Sequence, residues 1–272
     1  MRVAVIGLAI LALVAAGCGA GRTDSAAVAP PAVTHATPKP KPAPATVAVA
    51  PAAPPPVRCD TATERRLTSS RTSFAGLAPA GAIAYRTPGG PVVARFGREN
   101  VNGYPTYFAV LGKRVDKDCR PAWYRVQLPI RPNGAVGWVR ASALRLQAVD
   151  LRIEVDVSRR QLTLFRSGRR VLKATVAVGS TATPTPIGRY YVNQRLVPTD
   201  AGGPYGPAAL GISAFSPVLT GWAQGGPVAI HGTNEPWSIG RAVSNGCIRL
   251  PNDTLERLFK IVPPGTQVII HP

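Results

Sequence analysis

From residue 78 onward the apolar positions recur mostly with a period of two, the signature of strands buried on one face. Ala82–Arg86 and Val92–Phe96 flank a Pro88-Gly89-Gly90-Pro91 turn, and shorter runs follow at Thr106–Leu111, Trp123–Leu128 and Gly137-Trp138-Val139. Such short, evenly spaced runs predict the strands of a small barrel. From Asp150 the texture changes. Leu151–Val157 alternates cleanly, Gln161–Phe165 follows a Ser158-Arg159-Arg160 turn, and Ser167-Gly168-Arg169-Arg170 leads into Val171–Val178. That is a meander of hairpins. A Gly/Pro-rich loop, Gly179–Gly188, enters another strand at Arg189–Val192, and a further strand pair flanks His231 and Cys247. One helix is expected, Thr254–Ile261, with Asn252 or Asp253 as N-cap and Val262-Pro263-Pro264-Gly265 as its stop. Val268–Ile270 closes as a strand. The expected fold class is all-β (mainly β) with one short helix.

The first 57 residues have a different texture. Met1-Arg2 is followed by an apolar run over 3–16 and then Gly17-Cys18. The run has the length of a secretory core and is too short to span a bilayer as a mature helix. Val14-Ala15-Ala16-Gly17-Cys18 resembles a bacterial lipoprotein box, with Ala15 where such boxes most often carry Leu. The resemblance implies that Cys18 is diacylated and becomes the mature N-terminus; the alternative is an ordinary signal peptide cut at the Ala/Gly cluster. Either way the chain is exported, to the outer face of the cell membrane facing the wall, where disulfides persist. Residues 19–57 are rich in Ala and Pro, with Lys39-Pro40-Lys41-Pro42 and Pro54-Pro55-Pro56. They bury too little apolar surface to fold and favour an extended polyproline conformation, which makes a tether. About 215 residues remain from Arg58, enough for two small domains: 58–147, including a lead-in segment 58–77, and 150–272.

A net charge of +19 brings nucleic acid into consideration as a partner. Export and the absence of a basic stripe on any expected helix argue against it. Anionic wall polymers, phospholipid head groups and peptide carboxylates are the remaining anionic partners. Arg richness beside abundant Ala and Pro is equally the mark of a GC-rich coding sequence.

Cysteine and histidine are scarce, which sharpens the chemistry. Of four cysteines, Cys18 belongs to the N-terminal run, Cys59 and Cys119 can pair with each other, and Cys247 is left over. An odd thiol in an exported chain is a candidate reactive group. Of three histidines, only His231 follows a buried-looking strand, Val228-Ala229-Ile230, and it lies sixteen residues before Cys247. A thiol needs a base to become a nucleophile, and imidazole is the usual partner. Arg249, two residues past the thiol, offers a fork for a carboxylate. One usable His and few acids cannot fill a coordination shell, so neither a metal nor another cofactor is expected.

Residues 150–271 resemble an L,D-transpeptidase catalytic domain of the YkuD type. The resemblance is carried by the hairpins, Pro184-Thr185-Pro186-Ile187-Gly188, Ile230-His231-Gly232-Thr233-Asn234 and Ser244-Asn245-Gly246-Cys247-Ile248-Arg249-Leu250. It implies a β-sandwich with Cys247 as nucleophile, His231 as proton donor and acceptor, and the Gly232 carbonyl orienting the imidazole. Arg249 matches the arginine attributed to binding a substrate carboxylate. Asn245 stands where many members carry a second His, which bears on pocket polarity. The implied substrate is a peptidoglycan stem tetrapeptide, joined through a thioester into a 3→3 cross-link. Residues 58–147 resemble a bacterial SH3-like domain through Tyr85-Arg86-Thr87-Pro88-Gly89-Gly90, Trp123-Tyr124-Arg125-Val126 and Gly137-Trp138-Val139.

The backbone amides of Asn245, Gly246 and Cys247 are oxyanion-hole candidates, and Gly246 permits close approach. Asn245, Ser244 and Thr233 are the remaining substrate-contact candidates, Ser244 and Thr233 more as residues that shape the site. Trp222 and Trp237 suit either a substrate groove or the core. Two other functions stay open: an L,D-carboxypeptidase using the same Cys/His site with water as acceptor, and a non-catalytic wall-binding lipoprotein.

Overall fold

Alternating burial becomes two eight-stranded sheets and one two-stranded ladder in the computed structural model, which describes residues 59–272, all within one compact unit. The N-terminal apolar run, Cys18 and the tether over 19–57 lie outside the described residues. The first lobe comprises β1 (Arg65–Arg66), β2 (Ser73–Leu77), β3 (Ala82–Tyr85), β4 (Val92–Phe96), β5 (Tyr107–Val115), β6 (Pro121–Gln127), β7 (Val136–Arg140) and β8 (Arg145–Val149). They form one antiparallel sheet in the order β4-β3-β7-β6-β5-β2-β8, with β1 also on β5. Two of these strands carry no clear periodic signal. β2 is Ser-Phe-Ala-Gly-Leu, and β8 is an edge strand exposed at four of five positions. Partner strands supply the hydrogen bonds that make them strands, an influence intrinsic propensity does not report.

The second lobe follows after Asp150 with β9 (Leu151–Asp156), β10 (Gln161–Arg166), β11 (Arg169–Thr175), β12 (Val178–Gly179), β13 (Gly188–Leu196), β14 (Ala209–Phe215), β15 (Pro227–His231), β16 (Ala242–Ser244), β17 (Ile248–Arg249), α1 (Asn252–Ile261) and β18 (Gln267–His271). The main sheet runs β11-β10-β9-β18-β13-β14-β15-β17. Hairpins build β9-β10-β11 as expected, but β18 inserts parallel to β9 and β17 parallel to β15. The expected strand Val171–Val178 is divided. β11 stops at Thr175, and Val178 leaves the sheet to pair in parallel with β16.

Leu151, Ile153 and Val155 on β9, and Leu162 and Leu164 on β10, are buried at every second position and face one core. Leu255 and Leu258 of α1 are fully buried in the same cluster; truncating either to Ala should cost about 2–5 kcal/mol. The N-cap expectation is corrected. Pro251 caps α1 without a side-chain bond, and Asn252 is already helical. Its carboxamide turns instead to the Thr233 amide, 2.7 Å away, a tertiary partner that outcompetes the local cap.

The lobes are packed against each other. Ala75 of β2 belongs to the second lobe's core cluster. Gly265 has φ +82°, and a Cβ there would overlap Ala75, so the turn needs glycine for both reasons. The buried Tyr191 hydroxyl donates to the Tyr107 carbonyl at 3.0 Å, and Gln127 Nε2 donates to the Arg189 carbonyl at 2.7 Å.

Cys59 and Cys119 are joined by a disulfide with Cα atoms 5.4 Å apart, tying the start of the described chain to the β5–β6 turn. In the chain-entropy view, closing a 60-residue separation stabilises by about 4 kcal/mol. The double variant Cys59→Ser/Cys119→Ser should lower the Tm by several degrees, read by calorimetry; an unchanged Tm would mean the bridge does not constrain the unfolded chain.

Candidate active site

The site is built where β15 meets β17. Their parallel register sets Ile230 beside Ile248 and His231 beside Arg249. Side chains alternate along a strand, so Ala229 and His231 share one face. Cys247 lies immediately before β17, one position ahead of the Ile230–Ile248 pair and so level with Ala229. The register therefore brings thiol, imidazole and guanidinium into one patch.

His231 is 3 % exposed, and the ring edge of Tyr205 lies against it at 5.0 Å between centroids. Its Nδ1 is 2.5 Å from the Gly232 carbonyl oxygen. A carbonyl can only accept, so Nδ1 carries the proton and Nε2 is left with its lone pair. Burial pulls the His231 pKa down to about 4, and the positive charge of Arg249 pulls the same way; the Gly232 carbonyl opposes both. Burial also pushes the Cys247 thiol up, against the Ala229 backbone and Arg249, which favour the thiolate. At neutral pH the resting pair is a neutral thiol and a neutral imidazole.

Cys247 opens into a cavity of about 480 Å³. Apolar walls come from Leu219, Trp222 and Val228, and polar groups from Gln194, Asn245 and Tyr205. Asn245 thus reaches the cavity, whereas Ser244, Thr233 and Arg249 are not among its lining residues. Trp222 lines it; Trp237 is 56 % exposed and faces the Arg241 guanidinium, so neither tryptophan is core.

Ser244 and Thr233 hold the loops that carry the site. Ser244 Oγ donates to the Cys247 carbonyl at 2.6 Å and accepts from the Gly246 amide at 3.2 Å. The Ser244 carbonyl accepts from the Ser180 amide and the Thr183 hydroxyl, both at 2.9 Å. The Gly/Pro-rich loop is thereby a brace for the Cys247 loop. Gly246 has φ +105°, a backbone that a side chain would strain. Thr233 accepts the Glu235 amide at 2.9 Å.

Sequence reasoning passed over Glu235. Its carboxylate pairs with Arg249 Nη1 at 2.5 Å, and the Arg249 side chain is only 16 % exposed. The candidate carboxylate receptor already holds a carboxylate from its own chain. An acid two residues past Thr233 was a visible signal, but its reach across to β17 depends on the Pro236–Ser238 turn. Tyr205 and Gln194 left no signal, because they come from loops and strands far along the chain. Among the described residues no group of three His, Cys, Asp or Glu is arranged to hold a metal ion.

Residues 150–270 match the family model described as the YkuD L,D-transpeptidase catalytic domain. The "Putative L,D-transpeptidase YkuD" of Bacillus subtilis (strain 168) is 39 % identical over 119 residues, 44 % of this chain and 65 % of the relative. Its namesake from Bacillus licheniformis is 39 % identical over 124 residues, 46 % of this chain and 67 % of the relative. The chain thus spans about two thirds of the length of these curated relatives. The NMR structure of the E. faecium L,D-transpeptidase catalytic domain is 25 % identical, covers 45 % of this chain and 97 % of its own, and superposes with a TM-score of 0.33. By its match to these relatives, the chain belongs to the YkuD-type L,D-transpeptidase family.

Proposed function

We propose that this protein is a peptidoglycan L,D-transpeptidase that forms 3→3 cross-links through a Cys247 thioester. The observation that carries the reading is a thiol opening into a peptide-sized cavity, with a buried histidine on the adjacent strand whose Nδ1 is tied to the Gly232 carbonyl. His231 Nε2 takes the thiol proton as Cys247 Sγ attacks the carbonyl of the third stem residue. The tetrahedral oxyanion collapses, the C–N bond to the terminal D-alanine breaks, and the imidazolium returns its proton to the leaving amine. An amine of a neighbouring stem then attacks the thioester, restoring thiol and imidazole. Because the resting pair is neutral, proton transfer accompanies attack. A backbone carbonyl suffices as orienting group because a thiol needs less activation than a hydroxyl.

The Asn245, Gly246 and Cys247 amides are proposed to stabilise the oxyanion, Gly246 after exchanging its bond to Ser244 for the developing charge. Asn245 is proposed to contact substrate in the cavity, with Ser244 and Thr233 acting through loop shape. The two sheets, meeting between Val149 and Leu151, support a division into an SH3-like domain over 58–147 and a catalytic domain over 150–272. Export, lipidation of Cys18, a tether over 19–57, attachment to the outer face of the membrane and attraction to anionic wall polymers complete the proposal.

Mass spectrometry of products from a purified stem tetrapeptide should show a cross-linked dimer and free D-alanine, both lost in Cys247→Ala with the fold intact. Release of D-alanine without dimer would identify a carboxypeptidase, and neither product would overturn an enzymatic role on this substrate.

Alkylation of Cys247 by iodoacetamide should accelerate with pH through the neutral range. Burial raises the thiol pKa and lowers that of His231 to about 4, so no thiolate–imidazolium pair exists to give a plateau near pH 6. A plateau there would show a charged resting pair.

If Arg249 receives a donor carboxylate, Arg249→Ala should lower kcat/KM by about 100-fold, while iodoacetamide slows far less, only by the loss of the charge that favours the thiolate. Glu235→Gln should then lower KM, because a competing carboxylate is gone. A higher KM in Glu235→Gln would show that the ion pair positions Arg249 and does not compete with substrate.

A further inference from the structure

Three side-chain amides separate the Cys247 cavity from a second hollow of about 370 Å³, and one of them belongs to the first lobe. Asn102, Gln194 and Gln224 line both spaces. Asn102 lies between β4 and β5, Gln194 on β13, and Gln224 on the turn between β14 and β15. Asn102 Nδ2 donates to Gln194 Oε1 at 2.9 Å and to Gln224 Oε1 at 3.4 Å, while Gln224 Nε2 donates back to Asn102 Oδ1 at 2.9 Å. Asn100 Nδ2 adds a second donor to Gln194 Oε1 at 2.8 Å. With its carbonyl oxygen held by two amides, the Gln194 carboxamide lies across Gly211, its register partner on β14, and Gly211 lines the cavity too.

The same lobe grips the segment that carries Gln224. Arg131 Nη2 donates to the Ser216 and Gly225 carbonyls, both at 2.7 Å. Asn133 donates to the Phe215 carbonyl at 2.8 Å and accepts the Phe215 amide at 2.9 Å. Residues 216–226 bring Leu219, Trp222 and Ala223 to the cavity wall, yet their own turn contains non-helical Gln224 and left-handed Gly226. Its own turn bonds and these contacts from the first lobe together hold that wall.

We propose that the first lobe forms a wall of the active-site cavity: Asn102, with Asn100, locks Gln194 and Gln224 into a partition that sets the size of group admitted to Cys247. The partition follows from the hydrogen bonds alone; only the identity of the admitted group, an extended stem peptide, rests on the transpeptidase reading. Asn102 and Gln224 are positioning residues that need not touch the reacting atoms.

The test uses the parent protein, Asn102→Ala and Gln224→Ala, which cut the same link from either side at exposed positions. Cys247 is labelled with iodoacetamide and, separately, with a fluorescein maleimide too large for the closed cavity. Loss of the partition should raise the bulky-to-small rate ratio about tenfold in both variants, with the iodoacetamide rate unchanged. With the stem tetrapeptide, KM should rise about tenfold at constant kcat, because binding is lost and not chemistry. A ratio within about twofold of the parent overturns the partition, and so does equal acceleration of both labels, which marks general loosening. A parent protein that labels as expected but does not turn over the tetrapeptide overturns the transpeptidase reading and leaves the partition standing.

Discussion

The active site depends on one short parallel pairing, that of β15 with β17. It spans two register pairs, Ile230 with Ile248 and His231 with Arg249, yet it decides which side chains meet. A slip by one residue would turn Cys247 or His231 to the opposite face, because strand side chains alternate. So short a ladder needs outside support. Ala177 and Arg249 exchange backbone bonds at 2.9 and 3.0 Å, and Leu250 N–H reaches the His231 carbonyl at 2.9 Å. Ile230, Ile248 and Leu250 are fully buried beneath it. The core thus sets the register, and the register sets the chemistry.

Burial then shapes the electrostatics. A charged thiolate and imidazolium are both penalised in this environment, which keeps the proton on sulfur and the imidazole neutral. Arg249 favours the thiolate and disfavours the imidazolium, so it tilts the two groups toward a neutral imidazole and a more readily ionised thiol. Glu235 tempers that influence by pairing with Arg249. One acid therefore moderates the field that the guanidinium exerts on both groups.

The lobe junction extends the same logic outward. Strand β13 carries Tyr191 toward the first lobe and Gln194 toward the cavity. One strand therefore transmits the position of the first lobe to the cavity wall. A lobe that would serve only as a spacer needs no such amide contacts.

Much of this was legible in the sequence. Period-two burial announced the strands of β9 and β10, the scarcity of Cys and His isolated Cys247 and His231, and His-Gly-Thr-Asn with Ser-Asn-Gly-Cys-Ile-Arg announced the family. These are local signals: each depends on spacing within a few residues, which a chain carries before it folds. The tertiary structure alone decided the rest. β2 and β8 are strands because neighbours hydrogen-bond to them, Asn252 leaves the helix cap for Thr233, Glu235 reaches Arg249, and Asn102 meets Gln194 and Gln224. Each is a partnership between side chains or strands distant in sequence or joined by a turn of unpredicted shape. Neither composition nor periodicity encodes which distant polar group a donor will find; packing of the two lobes does.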